Sequence, residues 1–223
     1  MKPLATIRTF ANRHPLVGPA LWILSVQYFA VQIVVAQAWA ASYSWRLNTI
    51  SDLGNTTCGT YGGRYVCSPS HALMNVSLTV LGITMILGSL LIYQQYKDGR
   101  GSLAGFSCMA ISGLGSLLVG LSPENSISAL HIAGATWSFF VGNVGLVVLS
   151  LALSISRSLR IYTFLSGALA LVALGLFVSH SYLGLGEGGM ERIVAYPQTV
   201  WLIVFGIYTY SHQASKRYNK AIK

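Results

Sequence analysis

Long apolar stretches recur along this chain, and their length constrains its fold more than any other feature. An α-helix needs about 20 apolar residues to cross the hydrocarbon core of a bilayer. We count six such stretches, at residues 16–42, 71–96, 101–121, 127–154, 161–180 and 193–210. Only 9% of the residues are charged, which is too few to cover the surface of a soluble domain of this length. The sequence therefore predicts an all-α polytopic membrane protein, in which residues 1–223 form one bundle of six transmembrane helices.

The basic residues predict the orientation of this bundle. If the N-terminus is cytoplasmic, eleven of the fourteen Lys and Arg residues lie on the cytoplasmic side, and only Arg46, Arg64 and Arg192 lie outside. Cytoplasmic loops of membrane proteins carry such an excess of positive charge. We therefore expect both termini, residues 1–15 and the basic tail 211–223, to be cytoplasmic in a multi-pass plasma-membrane protein. The net charge of +9 then reflects topology and not a nucleic-acid-binding surface.

The longest polar segment, residues 43–70, is predicted to be a large first extracytoplasmic loop. It contains two of the three cysteines, Cys58 and Cys67, which are nine positions apart. In an oxidising compartment these two residues are expected to form a disulfide that closes a small hairpin. A metal-binding pair is the alternative, but the loop offers no further Cys or His between them to complete a zinc site.

Four segments resemble a known family. They are TISDLGN (49–55), CSPSHALMN (67–75), LHIAG (130–134) and GGMERIVAYPQTVW (188–201). In this order and spacing they resemble the bacterial and archaeal membrane family known as domain of unknown function 998. More remotely, ISDLG followed by His-x-x-Gly-Ala is similar to the Frag1/DRAM/Sfk1 membrane proteins. The resemblance implies a multi-helix membrane architecture and assigns no reaction.

Titratable and polar residues gather near the predicted outer ends of several helices. Four of the five acidic residues fall in the outer loops. Charged groups near a bundle mouth, at similar depth on several helices, favour a functional site. The candidate ligand-binding residues are Arg46, Asp52, His71, Asn75, His131, Glu191 and Arg192. Within this set, we expect Asp52 to pair with Arg46 or Arg192.

The first functional hypothesis is an outward-facing polar pocket that binds a lipid head group or a small polar ligand. Arg46 and Arg192 would then pair with a phosphate or carboxylate, because a guanidinium group offers a planar fork of donors. Membrane lipids are the expected partners. The sequence identifies neither the ligand nor a cofactor, and it leaves the oligomeric state open.

Two alternatives remain open at this stage. One is an integral membrane hydrolase or transferase acting on lipid, in which His71, His131 and His180 hold a metal ion and Asp52 or Glu191 serves as general base. No HExxH or GxSxG motif is present to support it. The other alternative is a structural or accessory membrane subunit, in which the polar residues of the outer loops bind no ligand.

Overall fold

The computed structural model describes residues 2–221 and consists almost entirely of helices. In chain order the helices are α1 (Lys2–Arg13), α2 (Val17–Ile23), α3 (Val26–Gln37), α4 (His71–Tyr93), α5 (Arg100–Leu121), α6 (Ser128–Thr136), α7 (Gly142–Ala152), α8 (Arg157–Val178) and α9 (Gly186–Ala221). Helices α2 and α3 form one span, and α6 and α7 form another, joined by a π-helical turn at Trp137–Val141. The described residues thus contain six helical segments long and apolar enough to cross a membrane, which confirms the predicted fold class.

The two ends of the bundle differ in composition. We call the end that carries residues 38–70, 122–127 and 179–185 the polar end, and the opposite one the basic end. At the basic end the Arg217 side chain donates a hydrogen bond of 3.0 Å to the carbonyl of Arg13. The first and last described helices therefore meet at the same end of the bundle, as an even number of spans requires.

Small residues hold the centre of the bundle together. A Cβ atom added at Gly82 on α4 would lie 2.5 Å from the carbonyl oxygen of Gly113 on α5. A Cβ atom at Gly115 would lie 2.4 Å from the carbonyl oxygen of Gly134 on α6. These glycines therefore allow α4 and α6 to approach α5 at backbone distance, which is how helices commonly pack in membranes.

The last helix is longer than the sequence predicts. We expected a span at 193–210, but α9 begins at Gly186 and ends at Ala221, so the described part of the basic tail is helical. The glycines from Gly186 to Gly189 lie within this helix, where Gly188 serves packing. A Cβ atom at Gly188 would lie 2.0 Å from the carbonyl oxygen of Asn48, so only glycine lets the polar loop rest on this helix. Residues 222 and 223 lie outside the described part.

The loop at residues 38–70 is ordered by two short elements. Ser51–Gly54 form a 3₁₀ turn, and β1 (Gly59–Tyr61) pairs antiparallel with β2 (Arg64–Val66). The hairpin turn uses Gly62 and Gly63, whose φ angles of +55° and +77° suit the tight turns that connect twisted strands.

A disulfide joins Cys58 to Cys67 at the open end of this hairpin, which confirms the predicted pair. The Gly-Gly turn and the disulfide together fix the backbone on both sides of Arg64.

Candidate functional site

Asp52 lies at the centre of the polar end and is completely buried. Its Oδ2 atom accepts a hydrogen bond of 2.9 Å from the backbone N–H of Thr49. In return, the Asp52 N–H donates to Thr49 Oγ1 at 3.0 Å. Asp side chains commonly stabilise turns by bonding nearby backbone in this way, so the carboxylate holds the 3₁₀ turn while it faces its charged partner.

That charged partner is Arg64 on the hairpin. Arg64 Nε donates to Asp52 Oδ2 at 2.7 Å and Nη2 donates to Oδ1 at 3.1 Å, which is a bidentate pair. The prediction that Asp52 pairs with Arg46 or Arg192 was therefore wrong. Arg64 also bonds Glu187 Oε2 through Nη1 at 2.7 Å. Burial lowers the pKa of Arg64, but the hydrogen bond and charge of Asp52, with the charge of Glu187, raise it above its ordinary value.

Arg192 is used to fasten the loop onto α9. Its Nη1 atom donates to the carbonyl oxygens of Trp45 at 3.0 Å, Asn48 at 2.8 Å and Gly188 at 2.7 Å. Its Nη2 atom donates to the hydroxyl of Tyr43, a group whose pKa is raised chiefly by burial. The guanidinium also lies 4.9 Å from the ring centroid of Trp45. Most of the donors expected to bind an anionic ligand are therefore already engaged.

Three further candidates lie in the loop or beside it. Asn75 Nδ2 donates to the carbonyl of Gly54 at 2.9 Å, which ties the 3₁₀ turn to α4. His71 Nδ1 lies 2.9 Å from the carbonyl of Ser68, at the start of its own helix. Arg46 is exposed, and its carbonyl accepts a backbone hydrogen bond from α9. None of these three side chains lines the cleft described below.

A second polar cluster joins three distant segments. His131 is buried, with Nδ1 at 2.9 Å from the carbonyl of Ser122 and Nε2 at 2.9 Å from Ser51 Oγ. The same hydroxyl lies 3.2 Å from Glu191 Oε1. Glu191 Oε2 accepts the N–H of Ile50. We call Ser51, His131 and Glu191 the hydroxyl cluster; two of its members, His131 and Glu191, were candidates from the sequence.

The structure does not assemble the histidine metal site of the second hypothesis. In the described part of the chain, no group of three or more His, Cys, Asp or Glu side chains is placed to hold a metal ion. His180 bonds the hydroxyl of Tyr182 at 2.9 Å, whereas His71 and His131 have the separate partners given above. The histidines lie at different helix ends and do not converge.

Glu124 adds a carboxyl group between the two clusters. Burial, followed by the charges of Asp52 and Glu191, raises its pKa to about 9. Among the described residues, its buried Oε1 atom has no hydrogen-bond partner. At neutral pH this side chain is therefore an uncharged acid, and a hydrogen bond to Asp52 also favours its protonated form.

A cleft of about 360 Å³ opens beside these groups. Its polar wall is formed by the loop and by helix ends, and includes Thr49, Ser51, Tyr61, Arg64, Glu124, His131, Glu187 and Glu191. Its apolar wall is formed by α6, the π-helical turn and α8, and includes Ile132, Ala135, Phe139, Leu174, Phe177 and Val178. The two walls have opposite chemical character along one continuous surface.

Comparison with known proteins identifies the family but not an activity. The family model described as "Protein of unknown function (DUF998)" matches residues 23–208. The chain belongs to this family. No curated protein and no solved structure matches the chain. The region shared with the DUF998 family contains every residue of both clusters and of the cleft, so the whole site lies within the matched segment.

Arg64, Glu124 and Ser51 are among the residues of this DUF998 site that sequence reasoning missed. Arg64 had a signal, because it is one of only three basic residues at the polar end and lies between the two bonded cysteines. Glu124 had a weaker one, as an acidic residue in a short link between spans. Ser51 had none, since a serine beside an aspartate is an ordinary turn sequence.

Proposed function

We propose that this membrane protein binds an amphipathic lipid in the cleft at its polar end. The observation that carries the proposal is the cleft's division into a polar wall and an apolar wall. Ligand sites typically combine an apolar lining with a few placed polar groups. A lipid matches this division because its chain fits between α6 and α8 while its head group meets the loop.

The apolar rim of the cleft favours a lipid over a water-soluble ligand. Ile132 is 64% exposed and Val178 is 69% exposed, and both lie on helices that are long and apolar enough to cross a bilayer. In water, two large apolar side chains at a cleft mouth would be unfavourable. In a membrane the same side chains contact acyl chains, so a lipid can enter the cleft sideways.

The charges of the polar wall select the head group. Among the described residues, Arg64 is the one Lys or Arg side chain of this wall, and it is bonded to both Asp52 and Glu187. The other acidic groups of the wall are carboxyl groups, and Glu124 among them is uncharged at neutral pH. A phosphate or free carboxylate would therefore meet few unpaired cations. We infer that the bound head group carries hydroxyl, ester or amine groups.

The distribution of Lys and Arg residues between the two ends of the bundle supports an orientation for this cleft. Ten of the thirteen Lys and Arg residues in the described part of the chain belong to the basic end, and such residues remain on the cytoplasmic side. We therefore infer that the cleft faces outward, in the plasma membrane, with both termini in the cytoplasm.

Filling the cleft provides a direct test. Leu174→Trp on α8 places a large ring against the cleft, whereas Leu165→Trp changes the same helix at an exposed position that does not line it. The full chain is purified in mild detergent and its retained lipids are identified by mass spectrometry. We expect the Leu174 variant to lose a lipid that the unmodified protein and the Leu165 variant retain. Identical lipid content in all three proteins would contradict the proposal.

A further inference from the structure

The contacts of His131 fix which of its ring nitrogens carries a proton. A carbonyl oxygen can only accept a hydrogen bond, so Nδ1, at 2.9 Å from the Ser122 carbonyl, must be protonated. In the neutral ring, Nε2 then presents its lone pair to Ser51 Oγ at 2.9 Å. A hydroxyl beside a histidine that is itself oriented by a third group is the arrangement that activates a serine nucleophile.

The hydroxyl cluster contains two short contacts of Ser51 but only one Ser51 proton to make them. The Ser51 hydroxyl has one proton but two acceptors, His131 Nε2 and Glu191 Oε1 at 3.2 Å. Both contacts become hydrogen bonds only if one more proton is present. If Glu191 holds the extra proton, its carboxyl group donates to Ser51 Oγ, and the Ser51 hydroxyl donates to His131 Nε2. If His131 holds it, Nε2 donates to Ser51 Oγ, and the Ser51 hydroxyl donates to Glu191 Oε1. The hydroxyl cluster is thus a short relay along which a proton can move.

Ser51 is also held firmly and faces the cleft. It begins the 3₁₀ turn whose next residue is the buried Asp52, paired with Arg64. The same turn is tied to the segment that precedes α4 through the Ser68 hydroxyl, which donates to Leu53 O at 2.7 Å. A nucleophile held in place by such supports needs little rearrangement before it reacts.

We propose that Ser51 is the nucleophile of an acyl-transfer reaction on a lipid ester, with His131 as its general base. This inference rests on the proposed lipid-binding function and adds a reaction to it. The apolar wall would hold the acyl chain and so bring the ester carbonyl to the polar wall. The hydroxyl, ester or amine character inferred for the head group agrees with this substrate class.

The reaction balances without a further reagent beyond a second hydroxyl. Ser51 Oγ forms a bond to the acyl carbon, its proton passes to His131 Nε2, and the ester C–O bond breaks. The same proton then moves to the departing alkoxide, which leaves as an alcohol. Water or the hydroxyl of another lipid attacks the acylated serine and gives its proton to His131. That proton returns to Ser51 Oγ as the new acid or ester leaves.

Serine-directed phosphonylation tests this step. A fluorophosphonate probe is added to the full chain in detergent: Ser51 Oγ bonds to phosphorus, fluoride leaves, and the proton passes to His131. We expect peptide mapping to find the label on Ser51. Ser51→Ala should abolish labelling, and His131→Gln should slow it by about 100-fold or more, the usual contribution of a general base. Ser128→Ala removes an exposed serine at the same end and should change nothing.

Controls separate a failed reaction from a failed fold or a failed lipid site. Each variant must elute as a single species with an unchanged melting temperature. If Ser51→Ala does not fold, it is replaced by Ser51→Cys in a Cys108→Ala background. Iodoacetamide should then alkylate the introduced thiol faster when His131 is present than in the His131→Gln variant.

An unlabelled Ser51 in a protein that still retains its cleft lipid would overturn the nucleophile and leave the lipid site intact. Loss of both would overturn both proposals. Equal labelling with and without His131 would also refute the assigned base.

Discussion

Arg64 makes two salt bridges of the same length in different surroundings, and their removal should have unequal consequences. Both contacts measure 2.7 Å, but the Asp52 side chain is fully buried, whereas the Glu187 side chain is 35% exposed. The variants Asp52→Asn and Glu187→Gln each remove one negative charge and conserve side-chain shape. Since the shortest distance is the same, burial and the bidentate geometry of the Asp52 pair should decide the difference between them.

The structure gives the expected magnitudes. Asp52→Asn leaves the largely buried guanidinium of Arg64 without its bidentate partner, and breaking a buried pair from one side costs about 3–5 kcal/mol. Because 19% of the Arg64 side chain is exposed, we expect a loss near the lower figure, about 3 kcal/mol. Glu187→Gln breaks a solvent-screened contact, and such pairs contribute about 0–1 kcal/mol.

Equilibrium unfolding in mixed detergent micelles, followed by tryptophan fluorescence, measures both losses on the full chain. A double variant, Asp52→Asn with Arg64→Gln, provides a further check. This double variant removes both charges of the buried pair. Its loss of stability should therefore be smaller than the sum of the losses measured for Asp52→Asn alone and for Arg64→Gln alone. Equal losses for the Asp52 and Glu187 variants, or strict additivity in the double variant, would refute the view that burial governs this network.

Three other outcomes follow from the structure. Burial raises the pKa of Glu124 from 4.5 to about 9 in the folded protein, so the stability contributed by its protonated form is complete below about pH 4.5 and is lost as the pH rises through about 9. Equilibrium unfolding should show this loss of stability, and Glu124→Gln should remove it. Replacing Cys58 and Cys67 with Ser should cost about 2–3 kcal/mol in the same assay, and no change would show that the loop is held without the bond. Single cysteines at Lys97 and Ser126 test topology in intact cells, where an impermeant reagent should label only the second.

Much of the architecture could be predicted from the sequence because it depends on local properties. A stretch of about 20 apolar residues forms a membrane helix whatever its neighbours are, so the spans were found to within a few residues in most cases. The Cys58–Cys67 bond was also predictable, since two cysteines nine positions apart can meet within one hairpin. The exception, the start of α9, shows the limit of this approach. Gly188 looks like a loop residue until Asn48 is seen against it.

The contents of the site were decided by tertiary structure. Ser51 meets His131 across 80 positions and Glu191 across 140, and no local pattern encodes such separations. The choice of Arg64 over Arg46 or Arg192 has the same origin. The hairpin turn places the Arg64 guanidinium on Asp52, while close packing of α9 on the loop occupies Arg192 with backbone carbonyls. Composition determines which polar residues are present at this end, and helix packing determines which of them touch, because contact depends on how distant segments are oriented in space.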